Sequence, residues 1–416
     1  MKVVCVGGGP AGLYFSILMK LRDGGHDVTV YERDPAGSTY GWGVTYWGSL
    51  LDKLRAGDPV SARAVEDASV RWSDGVAHVR GSTTRHRGDE GFGIGRHRLL
   101  ELLADRAADL GVRVVYGHEA EPGDLADEAA GAGLVVAADG VRSALRGRWA
   151  DHFGTEVTVG RNPYLWLGTT KVFDAFTFSF VESAHGWIWC YAYRFGPEAG
   201  TVVVECAPET WRGLGLDRAT EAEGLALLGD LFADVLDGHP LTGGGSAGGG
   251  PARWLTFRTL TNRTWHRGNV VLLGDAAHTT HYSIGAGTSL ALEDALALTA
   301  ALHSAPAGVA DRTPDPAALD AALTRYESVR RAELLSVQSA ARYSARWYED
   351  LPRYVRLPPE QMFALLGQRH SPLLPYVPPQ LYYRLDRAAG RLESLRRLKR
   401  WLGPRLAGSL HARNSR

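Results

Sequence analysis

The 416-residue chain is 45% hydrophobic and 22% charged, a globular composition with apolar mass for roughly two or three packed units, which excludes a disordered polypeptide. Its 46 lysines and arginines equal its 46 aspartates and glutamates, so no net field draws it to nucleic acid or to an anionic membrane. Cys5, Cys190 and Cys206 form no C-x-x-C and no apolar run reaches membrane-spanning length, so neither a disulfide framework nor a membrane span is expected.

The apolar run Val3 to Val6 is too short for a signal-peptide core, and a cytoplasmic protein is expected. The run stops at glycines and leads into Leu13, Tyr14, Ile17, Leu18 and Leu21, spaced for one helical face. Val28 and Val30 give a second strand ending at Glu32, so residues 2–32 read as one βαβ unit. From Ala68 to Gly91, short alternating segments predict antiparallel strands inserted into the first domain. A helix over Arg96–Leu110 precedes strands at Val112–Tyr116 and Leu134–Ala138, the latter running into Asp139-Gly140.

Across residues 160–260, Tyr164, Trp166, Phe173, Phe176, Phe178, Phe180, Trp187, Trp189, Tyr191 and Tyr193 recur largely at period two and predict an aromatic-rich β layer. Most of this stripe reads as core, with a minority facing a ligand. The glycine-rich stretch Gly243–Gly250 reads as a surface loop. A strand at Asn269–Leu273 and a long helix at Thr288–Leu302 return the chain to the first domain, which is therefore discontinuous. The last hundred residues read as helical, with prolines across Leu351–Pro379 and a basic tail: Arg384 to Arg416 carries ten basic and two acidic residues.

Gly7-x-Gly9-x-x-Gly12 follows a strand and opens a helix, the context in which glycines let backbone approach a pyrophosphate at a helix N-terminus. Glu32, twenty residues past Gly12, can accept from both ribose hydroxyls of an adenosine. Gly243-Gly-Gly245-Ser-Ala-Gly248 satisfies the same pattern without a strand before it or a helix after it, and is rejected. A second signal, Gly274-Asp275-Ala-Ala-His278 followed by Gly285-Ala286-Gly287, again lies between strand and helix. Its aspartate can bond sugar or ribityl hydroxyls, and the free N–H groups of the next helix can receive negative charge.

These motifs, together with Arg96-x-x-Leu99-x-x-x-Leu103 and Asp139-Gly140-x-x-Ser143-x-x-Arg146, resemble the class A FAD-dependent aromatic hydroxylases related to para-hydroxybenzoate hydroxylase, over about residues 1–350. Within that family, Tyr164–Phe173, His281–Gly287 and Trp347-Tyr-Glu349 are most similar to salicylyl-CoA 5-hydroxylase, anthraniloyl-CoA monooxygenases and the hydroxylase of violacein biosynthesis. Many relatives carry prolines where His281 and Tyr282 stand and an asparagine at Ser289, and the acyl-CoA hydroxylases share the histidine and aromatic.

The resemblance implies an α/β fold: an FAD-binding doubly wound parallel sheet with an inserted antiparallel β substrate domain and C-terminal helices. The FAD domain is expected at 1–67, 92–158 and 262–345, the substrate domain at 68–91 and 159–261, and a helical region at 346–416. Gly7, Gly9, Pro10, Ala11, Gly12, Glu32 and Arg33 are assigned to the nucleotide, and Arg96, Asp139 and Asp275 to the pyrophosphate and ribityl chain. Gly285, Ala286, Gly287 and Thr288 face the flavin pyrimidine, where a helix N-terminus stabilises the negative charge of reduced flavin. Trp42, Tyr46, Trp187, Trp189, Tyr191 and Tyr282 are the substrate residues, with His281 and then His185 as candidates for polarising or deprotonating the ring substituent. The implied chemistry uses NADPH or NADH and O2 through a flavin C4a-hydroperoxide, attacked by an electron-rich phenol, aniline or indole ring. The substrate is expected as a free aromatic or as a thioester of coenzyme A or an acyl carrier protein; the basic tail reads first as a solvated amphipathic helix packed on the domain, with contact to coenzyme A phosphates or a carrier protein's acidic surface as the alternative and membrane or nucleic acid as the last.

Gly186-Trp187-Ile188-Trp189 matches half of the halogenase W-x-W-x-I-P motif, but Cys190-Tyr191 follows, and no lysine for a halogenase stands between Lys53 and Lys171. A flavin-fold protein that only binds a lipidated partner is opposed by intact Arg96, Asp139 and Asp275. His278 and His281 have a metal-like spacing without a third ligand nearby, so no metal is expected.

Overall fold

A computed structural model describes residues 1–119, 131–244, 251–304 and 315–391. Most of the Gly243–Gly250 loop and of the basic tail lies outside the described residues. In chain order the strands are β1 (Lys2–Val6), β2 (Asp27–Tyr31), β3 (Gly43–Trp47), β4 (Val70–Val79), β5 (Ser82–Gly95), β6 (Arg113–Val115) and β7 (Leu134–Ala137). They continue as β8 (Glu156–Thr169), β9 (Phe176–Ser183), β10 (Gly186–Arg194), β11 (Gly200–Cys206), β12 (Leu241–Thr242), β13 (Leu255–Thr261), β14 (His266–Arg267) and β15 (Val270–Leu272).

One sheet has the order β14-β15-β7-β1-β2-β6. It is parallel except for the β14/β15 hairpin. β1 and β7 are buried on both faces, which is why Val3-Val-Cys-Val and Leu134-Val-Val-Ala read as unbroken apolar runs. The Pro10–Arg22 helix packs on this sheet with Leu13, Tyr14, Phe15, Ile17 and Met19 buried, each worth about 1.5–3 kcal/mol in apolar transfer. The chain enters at β1, continues to β2 on one side and later returns to β7 on the other. That reversal leaves a crevice beyond the carboxyl ends of the strands.

The second sheet has the order β12-β8-β11-β10-β9-β4-β5-β3, with β13 also on β8. It is antiparallel except for β4/β9. Register makes the aromatic pattern a surface: Tyr164 pairs with Glu205, Glu205 with Trp189 and Trp189 with Phe180, one row of side chains across four strands. Trp166, Val203, Tyr191 and Phe178 form the next row. The alternate residues, Leu165, Leu167, Ile188, Cys190, Ala192, Val202, Val204 and Cys206, face Leu228, Phe232, Val235 and Leu236 in an aliphatic core.

β3 and the Phe92–Gly95 end of β5 belong to this second sheet, although the sequence pattern placed them in the first domain. The reason is local. Gly41 and Gly168 are sites where a Cβ would fall 2.4 Å and 2.5 Å from the rings of Trp166 and Trp42, so two glycine–tryptophan contacts clamp the 41–47 segment onto β8. The long Pro316–Glu349 helix then crosses both units and delivers Trp347 and Tyr348 against Phe180 and Trp189, with Tyr354, Met362 and Leu366 behind them.

Candidate active site

The carboxyl ends of β1, β2, β7 and β15 bring Gly7–Gly9, Glu32, Asp139 and Gly274-Asp275 to one crevice. Gly7 has φ +107°, and a Cβ there would lie 2.3 Å from the Ala138 carbonyl oxygen. At Gly12 a Cβ would lie 2.1 Å from the Gly7 carbonyl oxygen, whereas at Gly9 it would meet nothing within 4 Å. Gly7 and Gly12 thus permit the tight turn and Gly9 opens onto the crevice, with Pro10 sacrificing no N–H at the helix start. Buried Ala11 supports the facing turn, where a Cβ on Gly274 would come within 3.1 Å of its methyl group. Glu32 accepts from Gly8 N at 2.6 Å and Asp34 N at 2.9 Å, tying the glycine loop to the end of β2. Arg33 is exposed and paired with Asp34.

Arg96 and Asp275 face each other across the crevice with no hydrogen bond or ion pair from either side chain among the described residues. Burial pulls the Arg96 pKa down against the pull of Asp275, and pushes the Asp275 pKa up against His278 and Arg96. Asp275 is exposed, opening onto the crevice. Asp139 accepts from Ala144 N at 2.8 Å through Oδ2, while its Oδ1 is buried without a partner and burial raises its pKa. Orphaned charges of this kind are costly in isolation. FAD would supply the missing partners, an anionic pyrophosphate and a row of hydroxyls, so the residues present fit the cofactor.

The turn carrying Asp275 is fixed from behind. Asp294 accepts from Gly274 N at 3.2 Å, pairs with His278 Nε2 at 2.8 Å and accepts from Arg330 Nε at 2.7 Å. Burial alone would raise the Asp294 pKa, but His278 and Arg330 hold it below the usual carboxylate range. His278 is thus committed to Asp294. Beyond it, Gly285 has φ +62° and leads through Ala286 into the Gly287–His303 helix, whose first N–H groups no side chain caps. A Cβ on Gly287 would meet nothing within 4 Å, leaving room for a ligand at that end. Thr288, in its first turn, is half-buried.

Between this helix and the aromatic sheet stand His281 and Tyr282. The His281 ring contacts Tyr282 at 4.3 Å and Phe257 at 4.8 Å between centroids. Its Nδ1 accepts from Ser283 N at 3.3 Å, which leaves the proton on Nε2, and burial pulls its pKa down to about 3. A ring of that basicity is a poor proton acceptor but a standing N–H donor. Tyr282 lies between Tyr164 at 4.4 Å and Tyr191 at 6.3 Å. Its hydroxyl donates to Glu205 Oε2 at 2.5 Å, and Asn162 Nδ2 donates to Glu205 Oε1 at 2.8 Å. Tyr164 is within electrostatic reach of both Asp275 and Glu205, which joins the aromatic cluster to the crevice.

Other expected residues fall elsewhere. His185 sits exposed on the β9/β10 hairpin, against Ser183, Thr210 and Gly213. Tyr46 is buried, stacked on Phe92 and bonded to Ser69. Trp189 is buried and stacks on Tyr348 at 5.8 Å, and Trp187 packs beside the same cluster, while Trp42 is held by Gly168. Glu205 was missed. Its signal was a single acid in the run Val202–Cys206, in phase with the aromatic face. Arg369 was missed as well: it donates to Ser283 O at 3.0 Å and Ser344 Oγ at 3.1 Å, bracing the His281–Ser283 turn from the C-terminal segment.

Residues 1–332 match the model of a family described as an FAD binding domain. The chain is 38% identical over 365 residues to salicyloyl-CoA 5-hydroxylase of Streptomyces, covering 86% of this chain and 67% of that protein. It is 35% identical over 352 residues to 3-hydroxy-4-methyl-anthranilyl-[aryl-carrier protein] 5-monooxygenase of Streptosporangium sibiricum, covering 85% and 90%. Among solved structures, PqsL of Pseudomonas aeruginosa bound to 2-aminobenzoylacetate has a TM-score of 0.66 at 20% identity, covering 88% of this chain and 99% of that one. Another similar fold is 2-methyl-3-hydroxypyridine-5-carboxylic acid oxygenase, with a TM-score of 0.65 at 19% identity, covering 84% and 92%. Motifs, crevice and matches converge: the chain belongs to the FAD binding domain family and is an FAD-dependent monooxygenase of aromatic rings.

Proposed function

We propose that the substrate is a phenolic or anthranilic acyl group carried as a thioester of coenzyme A or of a carrier protein, hydroxylated on its ring. The observation that carries this reading is the cluster of Tyr164, Tyr191, Tyr282 and His281, which adjoins the Arg96–Asp275 crevice and offers ring faces beside a polar donor. Two relatives, at 38% and 35% identity, act by name on aromatic thioesters, one on coenzyme A and one on a carrier protein, while a third, at 31%, is named for a free aminohydroxybenzoate.

Gly7–Gly12, Glu32, Arg96, Asp139, Asp275 and the start of the Gly287–His303 helix would hold FAD, which when bound would supply reduction by NADPH or NADH and activation of O2. The chain supplies placement. Tyr164, Tyr191 and Tyr282 form an aromatic wall that excludes water and holds a ring by its faces. His281, neutral and carrying its proton on Nε2, donates to an oxygen of the substrate and orients it. The test is NADPH oxidation and product mass with salicylate, salicyloyl-CoA, anthranilate, anthraniloyl-CoA and tryptophan. Stimulation and a gain of one oxygen with the thioesters alone is expected. Turnover of the free acids at equal efficiency would remove the thioester from the reading.

A further inference from the structure

We propose that Glu205 is a positioning and proton-accepting residue that works through Tyr282 on the hydroxyl or amino group of the aromatic substrate. This rests on the ring-hydroxylation reading above.

Glu205 is 3% exposed in the middle of the second sheet, and no lysine, arginine or histidine pairs with it among the described residues. Both its oxygens are occupied by neutral donors, Asn162 Nδ2 at 2.8 Å and the Tyr282 hydroxyl at 2.5 Å. A glutamine could accept from Tyr282 and donate to the Oδ1 of a turned Asn162 amide, an oxygen otherwise buried without a partner among the described residues, and would avoid the penalty of an uncompensated buried charge, so architecture alone does not call for an acid here. Burial pushes the carboxyl up to about 7, Glu349 adds to the rise, and the Tyr282 and Asn162 hydrogen bonds oppose it. The other titratable groups around it are Tyr164 of β8, Tyr191 of β10, Cys206 of its own strand and Tyr348 of the Pro316–Glu349 helix.

The direction of the Tyr282 hydrogen bond selects the substrate. Its proton is committed to Glu205, so its oxygen keeps lone pairs that can accept, and its ring lies between those of Tyr164 and Tyr191. Such a group accepts from a phenol O–H or an arylamine N–H. In the transfer the substrate O–H or N–H bond breaks and its proton joins the Tyr282 oxygen, while the Tyr282 O–H breaks and its proton joins Glu205 Oε2. The electron pair left on the ring heteroatom enriches the ring carbon to be oxidised. His281, beside it, is the complementary donor, so one end of the substrate is held by a donor and the other by an acceptor.

The experiment compares wild type, Glu205→Gln and Tyr282→Phe in the holoenzyme. It reads the pH profile of aromatic-stimulated product formation, and the near-UV ionisation of bound salicylamide as a probe independent of turnover. Both variants are expected to keep flavin content and KM, to lose roughly 10²-fold in kcat, and to lose the break near pH 7. Bound salicylamide should ionise at lower pH in wild type than in either variant. An unchanged kcat and pH profile in Glu205→Gln overturns the proposal. If that variant does not fold, an unchanged profile in Tyr282→Phe overturns it equally. Should wild type oxidise no aromatic compound while holding FAD, the substrate reading fails by itself, and the salicylamide titration still decides the relay: identical ionisation in all three proteins refutes it.

Discussion

Arg96 and His281 show how environment sets the job of a side chain. The Arg96 guanidinium has no hydrogen bond or ion pair among the described residues, and we propose that it contacts FAD: Arg96→Ala would then remove a charge-assisted contact worth about 1.5–3 kcal/mol, and flavin titration should show roughly 10–100-fold weaker binding. His281, with its pKa pulled down to about 3, stays neutral across the working range. His281→Gln should therefore lower coupled product formation by roughly 10²-fold without moving the pH break near 7, as measured by product formed per NADPH consumed. Glu205 shifts the other way, from 4.5 to about 7, so folding favours its protonated form. The stability it contributes is full below pH 4.5 and is lost as pH rises through 7. Glu205→Gln, fixed neutral, should unfold like wild type near pH 5 and be more stable near pH 8 by roughly 1–3 kcal/mol in denaturant titrations.

Among elements, the Gly287–His303 and Pro316–Glu349 helices do the positioning. Asp294 on the first and Arg330 on the second close a buried network around the Gly274–Asp275 turn. Asp294→Ala leaves Arg330 buried with its principal partner gone and should cost about 3–5 kcal/mol of stability, with weakened flavin retention following from the loosened turn. Calorimetry and flavin content of the purified variant check both. The elements of the first sheet were legible in the sequence because unbroken apolar runs ending in Gly-x-Gly, Asp-Gly and Gly-Asp carry both a strand and its purpose. The second sheet was legible in period but not in function. Alternation marks which side chains share a face, but not which part of that face meets the crevice. Trp189 and Tyr46 thus read as substrate residues and are packed in core. β3 escaped because its partner, β5, is nearly fifty residues away and its anchors are glycines fitted against tryptophans.

At the scale of the whole molecule, the crevice exists because the chain leaves the first sheet twice and comes back. β3–β5 and β8–β13 form the second sheet, and the Pro316–Glu349 helix ties the two together. Glu205, Tyr282 and Arg369 come from a strand, a turn and a C-terminal segment and meet only in the folded chain, which is why sequence spacing exposed only Tyr282. No helix among the described residues is long and apolar enough to cross a membrane. This assembly binds FAD and transfers one atom of O2 to an aromatic ring. The direct measurement is the reaction of the FAD-loaded protein with NADPH, isotopically labelled O2 and salicyloyl-CoA or anthraniloyl-CoA, followed by mass spectrometry of the acyl group. One labelled oxygen on the ring per NADPH consumed is the predicted result. Protein that takes up no FAD, or that turns all its NADPH into hydrogen peroxide with every aromatic acyl thioester offered, would contradict it.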